Sequence, residues 1–159
     1  MIIKEPFLER DDFRIVYGYA FETSYYYGES DVPGGPVTGM VSPVKKDSHI
    51  WRILEKAIEK QGLKDEGCQP VKMYFNCFAP GEKPLYHQDE YDWTYILYIN
   101  PYNDADQGGE TFFIEEDTQN ITGVLPRQNR LVKFKGSKIH KANSYKNYHR
   151  FSLTVKYGK

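Results

Sequence analysis

Cysteine is scarce in this sequence of 159 residues, which contains only Cys68 and Cys77. Two cysteines cannot form the disulfide framework that small secreted domains use in place of a large core. Both lie near apolar neighbours, so we expect them to be reduced and buried. A chain of this length can bury a core that is stable without such crosslinks. We therefore expect residues 1–159 to form a single domain.

Long hydrophobic runs and an excess of one charge are also missing. No apolar stretch reaches the roughly 20 residues that a membrane-spanning helix needs, and the N-terminus becomes charged too early for a signal peptide. The formal net charge is −1 and the pI is about 6.4, so the molecule as a whole has no electrostatic attraction to nucleic acid or to an anionic membrane. We expect a soluble cytoplasmic protein without a membrane partner.

Aromatic residues, by contrast, are abundant and make up 16% of the sequence, with 14 tyrosines. Tyrosine and phenylalanine favour β-strands, which predicts a mainly β fold. Many short strands separated by turns are typical of a sandwich or barrel. The predicted strands lie near 71–78, 85–89, 93–100, 109–115, 130–135, 139–144 and 149–157.

The first 70 residues precede this predicted core, which we place at about 71–157. Strand-forming residues at 13–30 predict one or two further strands. The segment from 31 to 43 is rich in proline and glycine, which predicts a long loop. Such a loop is either a recognition element or a plain surface connector.

The clearest helix is predicted at 48–61, where apolar residues recur at helical spacing. Asp47 is the expected N-cap, and Gly62 the expected stop. One face of this helix should pack on a sheet. His49, in its first turn, is expected at the surface.

The segment YHQDEYDW contains a possible metal-binding pair, His87 and Asp89. In a strand, residues i and i+2 point to the same face, so both side chains could reach one ion. His140 is the candidate for a third ligand from a later strand. Two histidines and one carboxylate are the ligand set of non-heme Fe(II) oxygenases. A His-x-Asp pair is common by chance, so this pattern alone does not establish a metal site.

The last predicted strand supplies a second observation. Phe151, Leu153, Val155 and Tyr157 alternate with Arg150, Ser152, Thr154 and Lys156. The apolar row should face the helix layer, and Arg150 and Ser152 should then face the interior. An interior arginine requires an anionic partner, because burying an unpaired guanidinium is costly. That partner could be the carboxylate of a small ligand or an interior Asp or Glu.

Taken together, His87-x-Asp89, His140 and Arg150-x-Ser152 resemble the signature of the Fe(II)/2-oxoglutarate-dependent dioxygenases. The motifs TYILYINP, GGETFFI and NRLVKFKGSKIH are similar to the prolyl 4-hydroxylase-like branch of that superfamily. The resemblance implies a double-stranded β-helix, or jelly-roll, core with a flanking helix.

The resemblance also implies roles for individual residues. His87, Asp89 and His140 would bind Fe(II), and 2-oxoglutarate would chelate that iron and react with O2. The far carboxylate of 2-oxoglutarate would meet Arg150. Ascorbate is a candidate supporting reductant.

Two further residues would contact the same carboxylate if the resemblance holds. Tyr98 falls where the branch places a tyrosine that binds it, and Ser152 is a plausible helper. Tyr98 shares one strand face with Thr94 and Ile96, although a tyrosine there could equally be a core aromatic.

The segment NCFAPGEKPLYHQDE is similar to a second branch, the AlkB-like nucleic-acid dealkylases. That comparison places Asn76 against 2-oxoglutarate and Phe78 where a tyrosine is usual, so a hydrogen bond would be lost. The AlkB-like pattern ends in a second arginine, and this sequence has Lys156 at that position. The spacing from His140 to Arg150 and the Gly-Gly-Glu motif favour the hydroxylase branch.

The expected function is hydroxylation of a C–H bond, with peptidyl proline as the first candidate and with release of succinate and CO2. The partner would be a peptide or a small molecule. An AlkB-like oxidative demethylase of nucleic acid is an alternative, and the balanced charge counts mildly against it. The other alternative is a non-oxygenase cupin-type metal-binding or interaction module.

Overall fold

The structure, a computed structural model, describes residues 1–28, 30–101 and 104–159. Their helices and strands, in chain order, are β1 (Ile2–Lys4), α1 (Arg10–Glu22), β2 (Met40–Pro43), α2 (His49–Lys60), β3 (Gln69–Phe78), β4 (Trp93–Tyr98), β5 (Thr111–Ile114), β6 (Ile121–Val124), β7 (Leu131–Lys135), β8 (His140–Ala142) and β9 (Arg150–Gly158). A single 3-10 turn at Ala105–Gln107 precedes β5. The chain is mainly β, as predicted.

Two antiparallel sheets pack face to face. The larger sheet has the strand order β1-β7-β4-β9-β3-β2, and the smaller has the order β6-β5-β8. An apolar cluster joins them and consists of Ile96, Tyr98, Phe113, Val124, Val132 and Phe134. The two helices pack on the opposite face of the larger sheet, where the main core lies. The larger sheet therefore separates the main core from the space between the sheets.

Strand β9 has the predicted alternation. Leu153, Val155 and Tyr157 are buried in the main core, with Phe151 partly buried beside them. The other row lines a cavity between the sheets and consists of Arg150, Ser152, Thr154 and Lys156. One strand thus stabilises the core with one face and shapes the cavity with the other.

The predicted strands at 13–30 are wrong, because most of this segment belongs to helix α1. Phe13, Val16 and Ala20 recur at helical spacing and are buried against the sheet. Packing of this apolar stripe outweighs the strand preference of the neighbouring tyrosines. The predicted loop at 31–43 is partly wrong, because Met40–Pro43 form strand β2.

Helix α2 lies where the sequence predicts a helix, but its N-cap is Ser48 rather than Asp47. The Ser48 hydroxyl accepts a hydrogen bond of 3.3 Å from the Trp51 amide, and Asp47 has a φ of 61°. Gly62 follows the helix with a φ of 63°, as a stop residue should. His49 is exposed, as expected.

Most of the predicted core strands are present, usually with shorter bounds. The exception is 85–89, which forms no strand; His87 makes only an isolated bridge to His140. The sequence analysis missed β1, β2 and β6. The connection between the predicted strands at 93–100 and 109–115 includes two positions, 102 and 103, outside the described residues.

The structure also bears on the two cysteines and on the lack of long hydrophobic runs. Cys68 and Cys77 are buried free thiols, and burial raises the pKa of Cys77 to about 12. Within the described ranges, neither helix has the length and hydrophobicity to cross a bilayer.

Candidate metal centre

His87, Asp89 and His140 converge at one end of the cavity. Their potential ligand atoms all lie within 4.8 Å of one another. Nε2 of His87 is 3.8 Å from Oδ1 of Asp89, and Nε2 of His140 is 3.6 Å from Oδ2. The structure therefore brings together the three side chains that the sequence singles out.

Backbone pairing sets the positions of these residues. His87 and His140 exchange two amide-to-carbonyl hydrogen bonds of 3.0 Å, and the Asp89 amide donates to Gly136 O at 2.8 Å. Each ligand-bearing segment is thus tied to the turn and strand around 136–140. The His-x-Asp pair is held on one face without a regular strand.

Both imidazoles are oriented by backbone carbonyls. Nδ1 of His87 lies 3.0 Å from Leu85 O, and Nδ1 of His140 lies 2.8 Å from Lys138 O. A carbonyl only accepts hydrogen bonds, so Nδ1 of each ring carries the proton. The lone pair of each Nε2 is left to face Asp89, which is the arrangement of a metal-binding histidine.

The charge states also suit a metal ion. Burial lowers the pKa of His140 to about 4, although Asp89 acts in the opposite direction, so the ring is neutral at physiological pH. Burial acts to raise the pKa of Asp89, but the nearby Lys156 ammonium and His140 bring it below its ordinary value. Two imidazole nitrogens and an ionised carboxylate fit the donor set of non-heme Fe(II).

Asp89 is held by two further side chains that the sequence analysis did not assign to the site. Its Oδ2 accepts hydrogen bonds from the Thr94 hydroxyl and the Lys156 ammonium. Lys156 is also 3.2 Å from the Thr94 hydroxyl. Thr94 and Lys156 are directly paired on β4 and β9, a register that no local sequence pattern displays.

Arg150 lies fully buried elsewhere on the cavity wall, with a relative exposure of 2%. Its guanidinium donates to Gly109 O at 2.9 Å, to the Thr111 hydroxyl at 3.1 Å and to the Ser152 hydroxyl at 3.2 Å. Among the described residues, no carboxylate lies within the 4.0 Å that defines a salt bridge with it. A buried cation with neutral partners that lines a cavity is suited to receive an anion.

The hydroxyl of Tyr98 completes this polar cluster. It donates a hydrogen bond of 2.6 Å to the Thr111 hydroxyl, and its ring lies 5.5 Å from the Arg150 guanidinium. Tyr98 also packs in the apolar cluster between the sheets, as the core interpretation predicts, and its contact with the co-substrate stays a prediction. The sequence analysis missed Thr111, although it follows directly after the Gly-Gly-Glu motif.

The structure explains why the second position of the Gly-Gly-Glu motif, Gly109, is a glycine. Gly109 has a φ of 85°, and a Cβ there would lie 2.5 Å from the ring of Tyr145. Only glycine allows this close approach, which sets the Gly109 carbonyl against Arg150.

Asn76 and Phe78 line the cavity on strand β3. The Asn76 amide donates to the Thr154 hydroxyl at 2.9 Å. Phe78 is paired with Arg150, and its ring lies 5.8 Å from the guanidinium. Phe78 therefore offers the cavity a flat apolar face and no hydrogen bond.

The cavity has a volume of about 480 Å³ and opens beside the loop that precedes β2. Asp31 of this loop accepts hydrogen bonds from the Leu85 amide at 2.7 Å and the Thr38 hydroxyl at 2.9 Å. Its Oδ1 lies 3.7 Å from Nδ1 of His87. The proline- and glycine-rich segment is thus fastened against the metal centre.

A family model described as the 2OG-Fe(II) oxygenase superfamily matches residues 73–157. The chain belongs to this superfamily. The search of curated proteins found no match to this chain. The oxygenase is therefore a 2-oxoglutarate-dependent dioxygenase, and the cofactors predicted from the sequence, Fe(II), 2-oxoglutarate and O2, are those of its family.

Solved structures similar to this oxygenase include several prolyl hydroxylases. One is a prolyl-4-hydroxylase from Pseudomonas putida, with a TM-score of 0.82, 16% identity, and coverage of 99% of this chain and 92% of the other. A prolyl hydroxylase from Trichoplax adhaerens, in complex with a hypoxia inducible factor peptide fragment, has a TM-score of 0.81, 16% identity, and coverage of 99% and 82%.

A third is a viral collagen prolyl hydroxylase from Paramecium Bursaria Chlorella virus-1, in a complex with 2OG. Its TM-score is 0.70, with 12% identity and coverage of 98% of this chain and 94% of the other. Similarities at this level of identity show the fold, and they confirm the predicted jelly-roll core.

Proposed function

We propose that this oxygenase hydroxylates a C–H bond in a peptide, with peptidyl proline as the first candidate substrate. The observation that supports it most is the convergence of His87, Asp89 and His140 in a cavity that Arg150 also lines, with no carboxylate of the described residues within 4.0 Å of its guanidinium. The fold is shared with prolyl hydroxylases, one of which holds a peptide fragment. In this proposal, residues 1–159 form one oxygenase domain.

The three converging side chains would be the iron ligands. The carbonyls of Leu85 and Lys138 hold the two imidazoles with Nε2 free. Thr94 and Lys156 hold Oδ2 of Asp89. Bound Fe(II), with 2-oxoglutarate and O2, supplies the oxidising chemistry that yields succinate and CO2. The protein contributes orientation and a preformed set of donors.

Arg150 would bind the far carboxylate of 2-oxoglutarate. Its planar guanidinium can form paired hydrogen bonds with a carboxylate. Tyr98, Thr111 and Ser152 surround it with hydroxyls. Asn76 lines the same cavity from β3 and could contact the co-substrate from the side. The buried position of this cluster excludes water from the ion pair that the ligand would complete.

The segment from Ser30 to Gly39 would form one wall of the substrate groove. Asp31, Val32 and Pro33 line the cavity mouth, and the adjacent Tyr26 and Tyr27 are 53% and 59% exposed. Flat aromatic faces at the surface suit a proline-rich peptide, because proline rings pack on aromatic side chains.

The test is turnover of 2-oxoglutarate with matched peptides. Proline-containing peptides should stimulate succinate formation and gain one oxygen atom by mass spectrometry, and the same peptides with alanine in place of proline should do neither. An Asp89→Ala enzyme serves as the inactive control. Stimulation by methylated oligonucleotides alone would replace this proposal with the AlkB-like alternative. The family match already favours an oxygenase over the cupin-type module.

A further inference from the structure

Lys156 lies beside the candidate metal centre and is almost fully buried. Its side chain has 5% relative exposure, and its ammonium contacts Oδ2 of Asp89 and the Thr94 hydroxyl. The residue occupies the inward-facing row of β9, six positions beyond Arg150. The cavity wall thus carries two buried cations, Arg150 and Lys156, and Asp89 lies beside Lys156.

The placement of Lys156 is electrostatically unusual. A buried ammonium is stabilised by a carboxylate partner, yet Asp89 is the same carboxylate that would bind a divalent cation. When the metal is present, two cations share one carboxylate. Lys156 and the metal would then repel each other, because both are positively charged. The repulsion would be substantial, because the buried surroundings screen charges weakly.

The same charge has the opposite effect on an anion. 2-Oxoglutarate carries two carboxylates, and Arg150 can neutralise only one of them. The other carboxylate would lie at the metal, on the Lys156 side of the cavity. Of the other acids that line the cavity, Asp31 already accepts hydrogen bonds from the Thr38 hydroxyl and the Leu85 amide, and Glu90 is exposed.

We propose that Lys156 sets the balance between metal and co-substrate binding: its charge weakens binding of the divalent cation and strengthens binding of 2-oxoglutarate. The inference rests on the proposed assignment of Asp89 as a metal ligand. It assigns Lys156 a role beyond orientation, because the Thr94 hydroxyl already holds the same carboxylate oxygen.

The experiment compares the wild-type protein with Lys156→Met, which keeps the length and removes the charge, and Lys156→Arg, which keeps the charge. Binding of Mn²⁺ alone is measured by calorimetry near neutral pH. Binding of 2-oxoglutarate is then measured with the Mn²⁺-loaded protein.

Lys156→Met should bind Mn²⁺ about tenfold more tightly, within the range by which neighbours of metal ligands alter affinity. It should bind 2-oxoglutarate at least about threefold more weakly, the smaller effect reflecting the greater separation of the charges. Lys156→Arg should resemble the wild type in both measurements. A purely structural role would weaken both ligands, so the opposite signs are the decisive result.

Lys133→Met is the matched control. Lys133 is an equally buried lysine with 5% side-chain exposure, and it pairs with Asp65 away from the metal centre. Its loss should lower stability and leave both affinities unchanged. If Lys156→Met does not fold, Lys156→Gln gives the same readout and keeps a hydrogen-bond donor for Asp89.

Unchanged or weaker Mn²⁺ binding by a folded Lys156→Met protein would overturn the inference. Failure of the underlying ligand assignment gives a different pattern, in which Asp89→Ala still binds Mn²⁺ like the wild type. Neither result depends on which substrate is hydroxylated.

Discussion

His87 and His140, 53 positions apart in the sequence, are joined by two reciprocal backbone hydrogen bonds of 3.0 Å. Their rings lie side by side, with centroids 4.4 Å apart. The bridge ties the segment between β3 and β4 to the start of β8. It therefore fixes two candidate ligands by main-chain geometry, independently of any metal.

Removing Asp89 should affect both metal binding and stability. Asp89→Ala should abolish binding of Fe(II) or Mn²⁺ and stop 2-oxoglutarate turnover. The metal-free protein should lose about 3 kcal/mol of its free energy of unfolding, because the ammonium of Lys156 stays buried without its carboxylate. Denaturant titration measures the loss. The double variant Asp89→Ala/Lys156→Met should recover much of the stability and none of the activity. Equal stability of the single and the double variant would contradict the pairing of Asp89 with Lys156.

Replacing Arg150 should act on the co-substrate. Arg150→Ala should weaken 2-oxoglutarate binding by about 2–5 kcal/mol, a rise in Kd of roughly 30-fold or more, because one partner of a buried charge pair is lost. Steady-state kinetics with varied 2-oxoglutarate and constant peptide measure the change in KM. A change confined to the peptide KM would show that Arg150 serves the other substrate.

The metal-free protein should lose stability as the pH falls from about 6.5 to about 4. The pKa of His140 is about 4 in the folded state and 6.5 ordinarily, so in this window the unfolded chain binds a proton that the folded chain does not. The loss linked to His140 is about 3 kcal/mol over the whole window, and this contribution levels off below pH 4.

Urea titrations of the metal-free protein across this pH range measure the slope. His140→Gln should flatten it. A slope that persists without His140 would assign the proton uptake to another group.

The loop before β2 can be tested through its anchor. Asp31→Ala removes the acceptor for the Leu85 amide and the Thr38 hydroxyl. The variant should raise the KM for the peptide several-fold and change the KM for 2-oxoglutarate little, because the loop lines the cavity mouth. Thr38→Val removes only one of the two contacts and should have an intermediate effect. Equal effects on both KM values would place the loop's influence at the metal centre instead.

Much of the fold was predictable because patterns along the chain match single elements. The alternation of β9 and the spacing of α2 are both visible in the sequence. Helix α1 was not predicted, since its tyrosines and phenylalanines favour strands and only its buried stripe of Phe13, Val16 and Ala20 favours a helix. That stripe becomes decisive only when a sheet is present to cover it.

In the candidate site, too, some residues were predicted from the sequence and others were not. His87, Asp89, His140 and Arg150 could be singled out because their order and spacing in the sequence resemble the signature of the superfamily. The partners Thr94, Thr111 and Lys156 could not be found in this way. Each acts through the register between strands, such as the pairing of Thr94 with Lys156, and register depends on the assembled sheet.

The two rows of strand β9 also limit how this protein can change over evolutionary time. Because side chains alternate with a period of two, an insertion or deletion of one residue inside the strand would reverse the facing of every residue on one side of the change, unless a β-bulge absorbed it. Polar residues of one row would then face the main core while apolar residues of the other row faced the cavity. A point substitution alters one face at a time and avoids this combined effect.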